Sequence, residues 1–126
     1  MATSSNHILI VDDDPSLRRM LARSLRLSGF TSLEASDGNA ALQVAQDAHP
    51  AAVLLDLMMP GESGLAVLER LRDIGLRVPV LILSGNDEPE TREAIARSSA
   101  NAYFVKPVSV AKLIEQLRAL TAESAG

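Results

Sequence analysis

The stretch Ile8-Leu9-Ile10-Val11-Asp12-Asp13-Asp14-Pro15 decides the fold. Four aliphatic residues run without a polar break and stop at three aspartates. An unbroken apolar run suits a strand covered on both faces, because a strand with one wet face alternates. Asp14 ahead of Pro15 reads as a helix start, the carboxylate serving free N–H groups and the proline fitting the first turn. Leu17, Met20, Leu21 and Leu25 then recur at helical spacing, Arg18, Arg19, Arg23 and Arg26 take the other face, and Gly29 ends the helix.

The pattern repeats outward from this stretch. Thr31–Ala35 alternates polar and apolar residues, as an edge strand does. Asp37-Gly38 opens an alanine-rich helix that must end before Pro50. Ala52–Leu55 is a buried strand closed by Asp56, and the loop Leu57–Ser63 carries Pro60 and Gly61. Leu65, Leu68 and Leu71 stripe a third helix, and Val78–Leu83, the longest apolar run, stops at Ser84-Gly85. A polar fourth helix is expected over Pro89–Ser98 with Ala94 and Ile95 inward, then a short strand Ala102–Val105 ending at Lys106-Pro107. Val110, Leu113, Leu117 and Leu120 stripe the last helix before a small, polar tail, Ala122–Gly126. Five strands alternating with five helices mean βαβ units and an α/β, doubly wound parallel sheet.

Composition sets the outer limits. A chain of 126 residues suits one domain, residues 1–126 with a core at about 6–121. With 47% hydrophobic and 22% charged residues it can build a packed core, which excludes a disordered or fibrous class. A net charge of −4 argues against direct nucleic-acid binding. The absence of cysteine excludes disulfides, thiolate zinc sites and thiol catalysis. No apolar run approaches the roughly 18 residues of a membrane span, and Met1–Asn6 lacks a signal-peptide pattern, so a cytoplasmic protein is expected.

In such a sheet the working site lies beyond the carboxyl ends of the strands. There the sequence puts Asp12 and Asp13 after the first strand, Asp56 after the third, Ser84 after the fourth and Lys106 after the fifth. Each alone has a plain reading as a cap, a turn or a solvated side chain. Together, clustered carboxylates repel one another unless a cation neutralises them. Hard oxygen donors favour Mg²⁺ (or Mn²⁺), and with an ammonium and a hydroxyl alongside they suit a phosphoryl group. Aspartate can itself be the nucleophile in phosphoryl transfer, and being ionised at neutral pH it needs no histidine base. His7 and His49 are therefore read as structural or solvated.

From Asn6 to Thr121 the chain resembles the receiver domain of two-component response regulators. The likeness rests on Ile8–Asp14, on Leu54–Gly61 with Gly64, on Leu81–Gly85 and on Tyr103–Pro107. The resemblance implies a flavodoxin-like (βα)5 sandwich with strand order 2-1-3-4-5. It implies Asp56 as phosphoacceptor, Asp13 as a direct Mg²⁺ ligand, Asp12 acting through water, and the Met58 backbone carbonyl as a further ligand. Ser84 and Lys106 would contact the phosphoryl, Tyr103 would be a switch aromatic that moves inward, and Pro107 would follow a cis peptide bond.

Under that resemblance the protein is not an enzyme with a foreign substrate but a switch that catalyses its own phosphorylation and dephosphorylation. The donor would be a sensor histidine kinase or a phosphotransfer protein, and the recipient of the signal a downstream effector or an output domain. The face of the fourth helix, fifth strand and fifth helix would meet partners or, after phosphorylation, a second copy. Glu88, Glu90, Arg92, Glu93 and Arg97 give it mixed charge. Ser99-Ala100 stands where the family often has Gly-Ala, Gly85 leaves room beside Ser84, and Met58 and Asn86 occupy variable positions that govern water access. A bulky Met58 predicts slow loss of the phosphoryl. The rival reading is a haloacid-dehalogenase-type phosphatase using Asp12, for which Asp12-Asp13-Asp14 has the Asp-x-Asp spacing but the chain lacks a second late acidic pair.

Overall fold

Strands and helices alternate strictly along the chain: β1 (His7–Val11), α1 (Pro15–Leu27), β2 (Thr31–Ala35), α2 (Gly38–Ala48), β3 (Ala52–Asp56), α3 (Gly64–Asp73), β4 (Val80–Ser84), α4 (Pro89–Arg97), β5 (Ala102–Val105) and α5 (Val110–Ala125). This computed structural model describes residues 6–125; Met1–Ser5, which carry the polar start, and the terminal Gly126 lie outside the described residues. The sheet order is β2-β1-β3-β4-β5, and every neighbouring pair is parallel. The chain leaves β1 toward β2 and returns to add β3 on the other side. That reversal opens a crevice at the carboxyl ends of β1 and β3.

Alternate strand residues feed two cores, one per face. Leu9, Val11, Val53, Leu55, Val80 and Ile82 pack against α2, α3 and Ile95 of α4. Ile8, Ile10, Leu54, Leu81 and Leu83 pack against Leu21 and Leu25 of α1 and Leu113 and Leu117 of α5. β1, β3 and β4 are buried almost throughout, while β2 at the edge leaves Thr31 and Glu34 exposed; these two lie on opposite faces, so the edge position rather than one wet face sets its exposure.

Five boundaries differ from the sequence reading. β4 begins at Val80 rather than Val78, because Pro79 has no N–H to give the ladder and Arg72 binds the carbonyls of Leu76 and Val78. β3 and β4 extend through Asp56 and Ser84, so each of these side chains sits on the last residue of a strand and its direction is set by the pleat. α4 stops at Arg97, and the Ser98 hydroxyl donates to the Ile95 carbonyl. α5 continues through Ala122–Ala125, where alanine and glutamate favour helix and no proline intervenes. Asp14 caps α1 as expected, accepting from Ser16 N–H at 2.9 Å.

Candidate functional site

Three successive aspartates do three different things. The Asp12 N–H donates to the Ala35 carbonyl at 3.1 Å, which holds the end of β1 against β2. Its Oδ1 accepts the Asp14 N–H at 2.9 Å, and its carbonyl accepts Arg18 Nη1 at 2.6 Å. Asp12 is thus buried and aimed, whereas Asp13 stays exposed at the rim.

Asp56 is fixed from behind. Leu57 N–H reaches the Leu83 carbonyl at 2.8 Å, and Gly64 N–H reaches the Leu57 carbonyl at 2.7 Å. A Cβ on Gly64 would lie 2.3 Å from the Asp56 carbonyl oxygen, so only glycine lets α3 start this close to the site. On the far side, Lys106 N–H donates to the Ser84 carbonyl at 2.8 Å, and the peptide bond to Pro107 is cis. The Lys106 ammonium then spans the rim, donating to Asp56 Oδ1 at 3.1 Å and Asp12 Oδ2 at 3.3 Å.

The charges do not cancel. Carboxylate oxygens of Asp12, Asp13 and Asp56 lie within 4.8 Å of one another. Three carboxylates against one ammonium leave two negative charges, which one divalent cation would neutralise. Burial raises the Asp56 carboxyl above its ordinary range and Asp12 adds to this, while the Lys106 hydrogen bond opposes both. For Lys106, burial works against the charge, yet the contacts to Asp56 and Asp12 hold its pKa above the ordinary value. The hard oxygen set fits Mg²⁺ or Mn²⁺ chemically.

Ser84, fully buried, faces the loop after β4. Its Oγ donates to the Asn86 carbonyl and accepts the Asn86 N–H, both at 3.0 Å. Tyr103 is half-buried on β5, and its hydroxyl reaches the same Asn86 carbonyl at 2.9 Å and Asp87 Oδ1 at 3.2 Å. Arg92 of α4 grips Asp87 through Nε at 2.5 Å and Nη2 at 3.1 Å. That hydrogen bond holds the Asp87 carboxyl below its ordinary range. Burial, followed by the bond to Asp87, lifts the Tyr103 phenol above its own, and the Ser84 hydroxyl pulls the other way.

Every side chain expected at the rim is there, but they form two groups. Asp12, Asp13, Asp56 and Lys106 are one; Ser84 and Tyr103 are joined through Asn86 in the other. Met58 exposes its side chain, and its N–H lies 3.4 Å from Asp56 Oδ1. The histidines take no part: His49 ends α2 in a left-handed conformation, and His7 bonds the Thr31 hydroxyl. Sequence reasoning missed Arg18 and Asp87. It also treated Arg92 and Arg97 as a general charged face, although Arg92 turns to Asp87 and Arg97 pairs with Glu93. Only the five-residue interval from Asp87 to Arg92 hinted at the first pair. A separate hollow of about 460 Å³ between α3 and α4, lined by Leu65, Leu68, Arg72 and Ala94 among others, shares no residue with the acid cluster.

Comparison with known proteins agrees with this geometry. Residues 8–118 match the family model described as a response regulator receiver domain. The probable transcriptional regulatory protein TcrX of Mycobacterium tuberculosis is 39% identical over 113 residues, 90% of this chain but 48% of TcrX. The chain spans about half the length of the curated relatives it matches. Among solved structures, the Francisella response regulator 1452 receiver domain superposes with a TM-score of 0.89 at 28% identity, covering 95% of this chain and 99% of that one. The Thermotoga maritima response regulator TrrA, solved in complex with Mg²⁺-BeF, gives 0.81 at 29% identity, covering 91% and 98%.

The haloacid-dehalogenase reading is therefore corrected. The family match runs through the whole sheet, and both Asp12 carboxylate oxygens are already engaged, one by Asp14 N–H and one by Lys106. Among the described residues, no helix is long and apolar enough to cross a membrane.

Proposed function

The chain belongs to the response regulator receiver domain family, and from that premise we propose that Asp56 accepts a phosphoryl group from a phosphohistidine. A receiver domain of this kind is a signalling switch of two-component systems rather than a turnover enzyme. The observation that carries the assignment is Lys106 held 3.1 Å from Asp56 Oδ1 inside a cluster still two charges short of neutrality.

Each residue has a part in the transfer. The Lys106 and Met58 N–H contacts both fall on Oδ1 of Asp56, which leaves Oδ2 for the incoming phosphorus. As the new P–O bond forms, the P–N bond of the donor breaks and the imidazole leaves with a proton. Lys106 places a positive charge beside the phosphoryl oxygens, and Ser84 supplies a hydroxyl once it turns from Asn86. Asp13, Asp56 and the Met58 carbonyl would hold Mg²⁺ directly, with Asp12 acting through water. When bound, the ion supplies charge neutralisation and orients the transferring group.

The donor is a sensor histidine kinase or a phosphotransfer protein, and the setting is the cytoplasm. The phosphoryl adds charge and strong acceptors beside Ser84, which moves and makes space that Tyr103 takes up. α4, β5 and α5 then present a changed face to a downstream effector, an output domain or a second phosphorylated copy. Relatives carry regulatory names and are about twice as long, so an output domain, attached or separate, is the proposed reader of this face, and the proposal gives this domain no nucleic-acid or membrane contact of its own. The test is incubation with a small phosphoramidate and Mg²⁺, followed by peptide mass spectrometry. One phosphoryl on Asp56, lost in Asp56→Asn, is expected; undiminished labelling of the Asp56→Asn variant would overturn the assignment.

A further inference from the structure

The Tyr103 hydroxyl has one proton and two acceptors within reach, the Asn86 carbonyl at 2.9 Å and Asp87 Oδ1 at 3.2 Å. The Asn86 carbonyl already receives Ser84 Oγ at 3.0 Å. While Ser84 stays there, that carbonyl has two donors in reach, and Asp87 is the other acceptor open to the single phenol proton. When Ser84 turns toward Asp56, the part-buried carbonyl loses a donor, and an unserved carbonyl is costly. Tyr103 is the side chain placed to replace it. Asp87 competes for that same proton, and Arg92 binds both of its oxygens, which restrains the carboxylate in this position.

We propose that Asp87, clamped by Arg92, is a positioning residue that holds Tyr103 in the resting arrangement and so sets how easily Asp56 is occupied. This rests on the reading of Asp56 and Ser84 given above and adds the regulation of that site. The latch lies outside the acid cluster. It opposes the switch because Asp87 competes for the one proton that the Asn86 carbonyl needs once Ser84 has left. A contact that favours one of two states shifts their balance by its differential strength alone. Removing it should therefore tighten binding of a phosphoryl mimic, by about threefold to tenfold for one hydrogen bond of ordinary net strength.

The experiment uses Mg²⁺ with beryllofluoride as the probe on the full chain, comparing wild type with Asp87→Ala, Arg92→Gln and the control Glu90→Gln. Tyr103 is the only tyrosine in a chain without tryptophan, so its near-ultraviolet signal reports this one side chain. Asp87→Ala is expected to bind the probe more tightly, with a ligand-free Tyr103 signal already shifted toward the bound form. Arg92→Gln should follow it in part, and Glu90→Gln should match wild type. If wild type binds and its Tyr103 signal moves, but Asp87→Ala and Arg92→Gln behave like wild type or bind more weakly, the latch is wrong and the Asp56 reading stands. If wild type does not bind the probe at all, the Asp56 reading fails and takes the latch with it.

Discussion

Asp56→Asn should make the metal-free protein more stable, although it removes the central residue of the site. At an effective dielectric near 20, Asp12 and Asp56 oxygens up to 4.8 Å apart repel by about 3.5 kcal/mol or more. Lys106 at 3.1 Å returns about 5 kcal/mol, but it is shared with Asp12, and its own side chain is partly solvated. Burial of the carboxylate then tips the balance against the charge, the direction in which its pKa is pushed. Asparagine keeps a carbonyl oxygen for Lys106 and drops the charge, so a net gain of about 1–2 kcal/mol is expected. For a domain of this size that raises the melting temperature by about 3–8 °C.

Calorimetry or urea titration across pH reads the same effect. A carboxyl whose folded pKa lies above its unfolded value favours folding while protonated, and that contribution fades as pH rises through the folded value. The gap between Asp56→Asn and wild type should thus be absent in acid and open as pH rises past the ordinary carboxylate range. Mg²⁺ at ten times its dissociation constant should return about 1.4 kcal/mol to wild type and less to the variant. An Asp56→Asn protein less stable than wild type at neutral pH without metal would refute the charge argument.

Four further outcomes are expected. Gly64→Ala should cost about 2–3 kcal/mol in urea unfolding, because the new Cβ meets the Asp56 carbonyl at 2.3 Å and the Leu57 Cα at 2.9 Å. Gly85→Ala, with nothing within 4 Å of its Cβ, should leave stability within about 0.5 kcal/mol of wild type. Arg72→Met should cost about 1–3 kcal/mol and speed hydrogen exchange on both sides of β4, since the guanidinium serves the carbonyls of Leu76, Val78 and Ser99 and the Asn101 side chain. The phosphoryl on Asp56 should survive for minutes or longer with Met58 beside it, and decay within seconds would show that this side chain does not hinder the attacking water.

The parts of this fold that were legible in sequence share a cause. Ile8–Val11, Ala52–Leu55 and Leu81–Leu83 are buried on both faces, so nothing but unbroken hydrophobicity fits there, and the carboxyl end of each run is marked by its first polar residue. The rim residues could be placed because a parallel sheet brings those ends together whatever the helices do. The start of β4 lies later than the apolar run suggests because Arg72, from the last turn of α3, takes the carbonyls of Leu76 and Val78 ahead of Pro79, and the run of apolar residues does not encode that. The Tyr103–Asp87 contact is not legible for the same reason: unlike the local Asp87–Arg92 pair, it joins a loop to a neighbouring strand whose closeness exists only after β4 and β5 pair.

That division has a mechanical consequence. Asp12 and Asp56 are held from behind by backbone bonds at strand ends, so the acid cluster cannot relax its own repulsion by moving. Ser84 and Tyr103 are held by side-chain hydrogen bonds that exchange one acceptor for another at little cost. Charge strain is therefore held in the rigid group until a cation or a proton relieves it, whereas the soft group responds to what binds there. On the proposed function, a site with this arrangement would turn the arrival of a phosphoryl into motion at α4 and β5, because the side that binds it is the side that yields least.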